Sequence, residues 1–239
     1  MKIKVISLKN SIDRRKATVS ALSNIPFSFF DAEYIKDNKN HFIYSLYDSK
    51  KGQKLKGYKL TIAELGCFAS HISVWKECLE SNENFLVLED NFTVLGDLSA
   101  QLNNINSLTT KYGIIKLGNF FHREYKEITK IDDNYTLISN LKGACGTSAY
   151  AISPNVAERY LQVAPGFFEP VDDFMDTEWR TKKTIYSYEP WLVSRNSSES
   201  TIGVRKNKGN RNFTNSITPE IYRAYKQIRN KLYNMTKRH

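Results

Sequence analysis

The chain has 239 residues, is 41% hydrophobic and 13% aromatic, and carries a formal net charge of +10. That length supports one large domain, or one domain with an extension, around a sizeable core, and the composition excludes a disordered chain. The charge is lopsided: from Gly203 onward stand ten bases and one acid, Glu220, so an anionic partner belongs at the tail, and a nucleic-acid-binding module, which would spread its bases over the folded part, is the weaker reading.

The three cysteines, Cys67, Cys78 and Cys145, are too few and too widely spaced for a disulfide framework or a zinc knuckle. The opening MKIKVISLKN lacks the apolar core of a signal peptide, and no stretch approaches a membrane span. These features predict a cytoplasmic protein.

In chain order, the apolar run at Ile3 to Leu8 predicts a strand. Ser11 can cap a helix with Asp13 in its first turn, carrying Arg14, Arg15, Val19 and Leu22. Pro26 ends it, and Phe27 to Phe30 predicts a second strand running into Asp31. The polar residues 36–59 predict a loop region. Thr61-Ile62-Ala63-Glu64 is a capping box. The helix it opens has Leu65, Phe68, Ile72, Trp75 and Leu79 on one face. His71 lies off that stripe, and Cys67 and Cys78 read as core residues.

Phe85-Leu86-Val87-Leu88 predicts a strand covered on both faces, and helix followed by strand is an α/β pattern. Further strands are predicted at 113–117, 148–152 and 185–188. Ser153-Pro154 opens another helix. Residues 219–237 predict a helix with Ile221, Tyr222, Tyr225, Ile228, Leu232 and Tyr233 near one face. That helix suits an anionic membrane surface, or packs its apolar face on the domain and leaves its bases in water.

Three clusters offer chemistry. Glu89, Asp90 and Asn91 end the buried strand, where ligands bind in open α/β sheets. Their oxygens suit Mg²⁺ or Mn²⁺, which would stabilise a diphosphate leaving group, although a simple turn also begins this way. Asp172 and Asp173 offer a general base, or cap a helix. The glycines of Lys142-Gly143-Ala144-Cys145-Gly146-Thr147 permit close approach to a ligand, or make a plain turn.

Several segments resemble the bacterial lipooligosaccharide glycosyltransferases of family 25. Ile6-Ser7-Leu8 with Asp13-Arg14-Arg15 is similar to the family's start, and Pro26-Phe27 with Phe29-Phe30-Asp31-Ala32 to its next segment. Cys67-Phe68-Ala69-Ser70-His71 through Trp75 resembles C-F-x-S-H-x-x-x-W. Leu88-Glu89-Asp90-Asn91 resembles L/F-E-D-D, with Asn91 in place of Asp. Gly146-Thr147-Ser148-Ala149-Tyr150 with Ile152-Ser153 resembles G-T-x-x-Y-x-I-S, and Pro170-Val171-Asp172 a later segment. The matches run in order over roughly residues 3–200.

The resemblance implies an α/β fold with a GT-A-like, Rossmann-type mixed sheet flanked by helices over residues 1–202, and a basic, partly helical extension over 203–239. It implies an inverting transferase moving galactose, or glucose, from a UDP-sugar donor to an oligosaccharide or lipooligosaccharide acceptor. Asp172 would be the base, with Asp173 the alternative. Leu8, Arg14, Asp31, His71, Glu89, Asp90, Gly146 and Thr147 would contact the nucleotide-sugar. Glu89, Asp90 and Asn91 would hold Mn²⁺ or Mg²⁺, with Asn91 bringing no charge. A catalytically weak sugar- or nucleotide-binding relative is the competing reading. The acceptor would bring the enzyme to the inner face of the cytoplasmic membrane, with the tail as contact.

Overall fold

The first strand, β1 (Lys2–Ser7), is followed by α1 (Ile12–Ala21) and β2 (Ser28–Asp31). The computed structural model describes residues 1–196 and 213–237. Ser11 stands at the helix start, but its hydroxyl makes no capping bond.

Residues 36–59 are not the expected loop. They contain α2 (Ile43–Leu46) and α3 (Ser49–Lys56). The cues are local. Asp48 accepts the Lys51 amide at the start of α3, and Gly57 ends it in the left-handed region at φ 79°. Ile43 supplies a fully buried anchor.

The capping box forms as read: Thr61 Oγ1 accepts the Glu64 amide, and Glu64 Oε2 accepts the Thr61 amide. It opens α4 (Ile62–Ser81), which Asn82 closes at φ 51°. Leu65, Phe68, Ile72 and Trp75 are buried, as the spacing requires, but Leu79, in the last turn of the helix, is exposed. His71 is buried too, against expectation. Its neighbours explain this, since each ring nitrogen has a polar partner.

Beyond α4 run β3 (Phe85–Glu89), β4 (Phe92–Val94), α5 (Leu98–Tyr112), β5 (Ile114–Lys116), β6 (Tyr125–Lys130), β7 (Thr136–Asn140), β8 (Ala149–Ile152), α6 (Pro154–Val163), α7 (Val171–Met175), α8 (Glu178–Thr181), β9 (Tyr186–Glu189), β10 (Val193–Arg195) and α9 (Phe213–Thr236). The main sheet is ordered β2-β1-β3-β8-β5-β9-β7-β6, with β10 pairing β4 separately. It is mixed: β1, β2 and β3 are parallel, and β8 runs antiparallel between β3 and β5. Helices cover both faces, α4 and α6 on one and α1 and α5 on the other. This is the α/β, mixed-sheet architecture expected.

The reversal of β8 positions the site. Its N-terminal end meets the C-terminal ends of β3 and β5, so the Lys142–Thr147 loop lies beside Glu89 at one sheet edge. The peptide after β5, Gly118 to Phe121, reaches the same edge. The hairpin β6–β7 has no apolar alternation in β6, whose side chains are nearly all exposed, so the sequence gives little sign of it.

The tail helix α9 begins at Phe213, six residues ahead of Pro219. The domain boundary expected near Gly203 lies outside the described residues. The faces of α9 differ from those expected. Tyr222, Lys226, Tyr233 and Lys237 turn inward. Glu169, fully buried, accepts from Tyr222 Oη at 3.1 Å, Lys226 Nζ at 3.0 Å and Arg180 at 2.8 Å. Lys237 Nζ meets Glu178 at 3.0 Å, and the Arg229 guanidinium lies over Trp179. Ile221, Tyr225, Ile228, Leu232 and Met235 stay exposed. A buried carboxylate claims the bases, so the helix docks by its basic and phenolic side and leaves an apolar stripe outward. No helix among the described residues is long and apolar enough to cross a membrane.

Candidate active site

β3 is buried along Phe85 to Leu88, and its polar end emerges at the sheet edge. Glu89 is held from below. Trp75 Nε1 donates to Tyr150 Oη at 2.9 Å, and the phenol lies 2.8 Å from His71 Nδ1. With the indole donating, the phenol proton turns to Nδ1 and leaves the imidazole proton on Nε2, 3.3 Å from Glu89 Oε1. Thr147 Oγ1 donates to the same oxygen. Oε2 has no hydrogen-bond partner among the described residues. Burial pushes the Glu89 carboxyl up, but the His71 and Thr147 hydrogen bonds and the Arg195 charge outweigh it and hold it below its usual value.

Asp90 is engaged: Oδ2 accepts from Ser7 Oγ at 2.7 Å and Oδ1 from Arg14 Nη1 at 3.2 Å. Asn91 Oδ1 is buried with no hydrogen-bond partner among the described residues, a state that buried acceptors rarely keep.

The loop before β8 is fixed by a buried ion pair. Asp176 Oδ1 takes Lys116 Nζ at 2.6 Å, and Oδ2 takes the Cys145 amide at 2.6 Å. Cys145 and Gly146 both stand at positive φ, 57° and 84°. A Cβ on Gly146 would come within 3.2 Å of the Phe120 amide, so glycine is favoured where the two segments meet. This loop delivers Thr147 to Glu89. Burial pushes the Cys145 thiol up to about 12 and the Cys67 thiol well above its usual value, so neither is a thiolate nucleophile near neutral pH.

Two cavities of about 380 Å³ each open at this edge. The first is lined by Leu8, Arg14, Tyr34, Ile62, Asp90 and Asn91, among others. The second contains Glu64, Phe120, Gly146, Thr147, Asp172 and Asp173. Cys67, Glu89 and Arg195 line both. Thus Leu8, Arg14, Glu89 and Asp90 come together in the first cavity, while Gly146 and Thr147 stand in the second beside Asp172. His71 supports Glu89 from beneath. Asp31 lines neither cavity and pairs with Arg15.

Asp172 and Asp173, on α7, differ in their surroundings. Asp173 Oδ2 meets Lys56 Nζ at 2.5 Å. Asp172 Oδ1 accepts the Asp173 amide at 2.9 Å, and burial, then the Asp173 charge, raises its carboxyl above the usual aspartate range.

Two donor sets are available for a cation. Glu89 Oε2 and Asn91 Oδ1 are hard oxygens without donors among the described residues, which suits Mn²⁺ or Mg²⁺, whereas both Asp90 oxygens are engaged. Cys67, His71 and Glu89 also bring donor atoms within 4.8 Å of one another, a softer sulfur, nitrogen and oxygen set.

Sequence reasoning did not reach Tyr34, Glu64 and Arg195 as cavity residues, and it placed Cys67 in the core. Cys67 and His71 are four apart on one helix, a spacing that puts them on one face. Arg195 carries no local signal; the β10–β4 pairing, Arg195 opposite Phe92, brings it there.

The sequence model of glycosyltransferase family 25 (LPS biosynthesis protein) matches residues 1–175. A Haemophilus influenzae protein described as a glycosyltransferase is 30% identical over 182 residues, 72% of this chain and 60% of that one. Procollagen galactosyltransferase 2 of Homo sapiens is 29% identical over 156 residues, 60% of this chain but 25% of that one. The lacto-N-neotetraose biosynthesis glycosyltransferase LgtE of Neisseria meningitidis is 31% identical over 209 residues, 80% of this chain and 72% of that one. The chain therefore spans 60% of the length of the first relative and a quarter of the second. The matched region holds β1 through α7 and so includes Glu89, Thr147 and Asp172: the chain belongs to glycosyltransferase family 25.

Proposed function

We propose that this chain is an inverting glycosyltransferase that moves a hexose, galactose foremost, from a UDP-sugar to a saccharide hydroxyl of lipooligosaccharide. The observation that carries this reading is the meeting of two cavities at Glu89, one lined by Arg14 and Tyr34 and the other by Asp172. A donor and an acceptor need such a shared boundary, where the anomeric carbon sits between leaving group and nucleophile.

In the first cavity the exposed Tyr34 ring offers a platform for the uracil, and Arg14 and Arg195 offer positive charge to the diphosphate. Glu89 and Asn91 would hold Mn²⁺ or Mg²⁺, which, when bound, would neutralise charge on the departing diphosphate. Asp172 is favoured over Asp173 as base because Asp173 is paired with Lys56, and because a raised carboxyl lies nearer the working pH. The acceptor oxygen attacks the anomeric carbon and its proton passes to Asp172. The bond from that carbon to the phosphate oxygen breaks, and its electron pair leaves on UDP. One displacement inverts the centre. Galactose is favoured by the human relative's name, and a saccharide acceptor by the Neisseria relative's name.

A screen of UDP-sugars for hydrolysis and transfer, with and without Mn²⁺, tests the reading. UDP-galactose is expected to be turned over fastest. A chain that binds UDP-sugars and turns over none of them would be a binding relative instead.

The outer stripe of α9 supports a peripheral position at the inner membrane face. Its apolar residues recur at intervals of 4, 3, 4 and 3, and Arg223 and Lys231 stand exposed along the same helix. A second copy of the helix would set like charges together, whereas an anionic bilayer matches both features.

A further inference from the structure

The second cavity continues into an aromatic rim that the reaction itself does not use. Phe120 and Phe121 line it and stand 53% and 43% exposed. Two adjacent phenylalanines in water leave apolar area uncovered, at about 25 cal/mol per Å². Here the backbone fixes them in that position. Both amides donate to Ala144 O, at 3.1 Å and 2.9 Å. Ala144 belongs to the loop anchored by the buried Lys116–Asp176 pair.

The rings are equally constrained. Phe120 and Phe121 meet edge to face at 4.8 Å, and the Arg123 guanidinium lies 4.6 Å from the Phe121 ring while its Nε donates to Gly143 O. His122, next in the chain, stacks on Trp191 at 4.0 Å and 7°. The same cavity carries Glu64, Asp172 and Asp173. Aromatic faces together with carboxylates match a sugar ring, whose C–H face packs on an apolar plane while its hydroxyls donate to acceptors.

Resting on the glycosyl-transfer reading, we propose that Phe120 and Phe121 form an acceptor subsite for the sugar unit behind the one being extended, so that the acceptor is a saccharide chain of two or more units. The terminal unit lies by Asp172 and the next on the two rings. The rings are already ordered, so an occupant spends little free energy on arranging them.

The test is capture of the full-length chain on an array of neutral mono-, di- and oligosaccharides that includes alkyl monosaccharides. Capture is expected on chains of two or more sugars. Phe120→Ala with Phe121→Ala should lower apparent affinity about tenfold or more, as the loss of two stacking contacts implies. Phe120→Ala with Phe121→Trp should restore part of it, because one aromatic face is returned. Both rings are exposed, so folding is not at stake, and a thermal melt checks this. Equal capture by single sugars, capture only by alkyl glycosides, undiminished capture by the double alanine variant, or no capture at all would overturn the subsite. Absence of UDP-sugar turnover by the unmodified chain would instead overturn the transfer reading, because the array is read without a donor.

Discussion

The His71 imidazole reaches Glu89 Oε1 at 3.3 Å from beneath the cleft floor, and Tyr150 holds its far nitrogen at 2.8 Å. The carboxylate that two cavities share is thus oriented by a buried relay that starts at Trp75. Tyr150→Phe removes the hydroxyl and strands Trp75 Nε1 and His71 Nδ1. The expected loss is about 1–3 kcal/mol, and the melting point should fall by about 2–4 °C per kcal/mol for a chain of this size. Calorimetry checks it, and a variant melting with the wild type would show that the relay is slack.

Asp172 should trade stability for activity. Its carboxyl is raised first by burial and then by Asp173. The stability tied to it is therefore full below the usual aspartate range and is lost as pH rises through the raised value. Asparagine carries no such loss, so Asp172→Asn should melt no lower than wild type near neutral pH. Transfer should fall about 10²–10⁴-fold in that variant. In the wild type, transfer should fall as pH drops through the same raised value, because the base must be ionised. Paired melts and rate profiles test both; a variant that melts lower at neutral pH would mark the carboxylate as structural.

Asn91→Asp supplies the missing charge beside Glu89. UDP binding, followed by calorimetry, should then reach half-saturation at several-fold lower Mn²⁺ than in the wild type. UDP affinity indifferent to Mn²⁺ in both proteins would remove the metal from the reading and leave the diphosphate to basic side chains of the first cavity, Arg14, Lys36 and Arg195.

Gly146→Ala and Gly166→Ala form a matched pair. Both glycines stand at positive φ, 84° and 80°, but a Cβ meets the Phe120 amide only at Gly146 and nothing within 4 Å at Gly166. Each should cost about 1–2 kcal/mol of backbone strain. Only Gly146→Ala should also slow turnover, because it moves the loop that brings Thr147 to Glu89. Equal turnover in the two variants would sever the loop from the chemistry.

The outer stripe of α9 should bind vesicles rich in anionic lipid at low salt and release them as salt rises. Ile228→Glu, at a residue 60% exposed, should abolish sedimentation with vesicles and leave the melting point alone. A chain that ignores anionic vesicles at low salt would leave the stripe without that partner.

What was legible in the sequence had strong local causes. The capping box, the buried strand ending in acids, and Pro154 at a helix start each name their structure within a few residues. The helices of residues 36–59 were not legible, because Asp48 and Gly57 are weak signals inside a polar stretch and Ile43 gains its meaning only from the core it enters. At the site, Glu89 and Asp172 were readable as acids at turns. Their difference from Asp90 and Asp173 was not, since it depends on Arg14 and Lys56, which lie far away in sequence. The faces of α9 were misread for a related reason: hydropathy ranks Ile above Tyr and Lys for burial, but the buried Glu169 outranks hydropathy by demanding donors.

That buried carboxylate stands three residues ahead of Asp172 and is neutralised partly by the tail. A chain cut at Thr218 would lose Tyr222 and Lys226 and leave Glu169 with Arg180 alone. Shortening the protein is then expected to loosen the turn that carries Asp172. The tail helix thus braces, through one buried acid, the turn that carries Asp172.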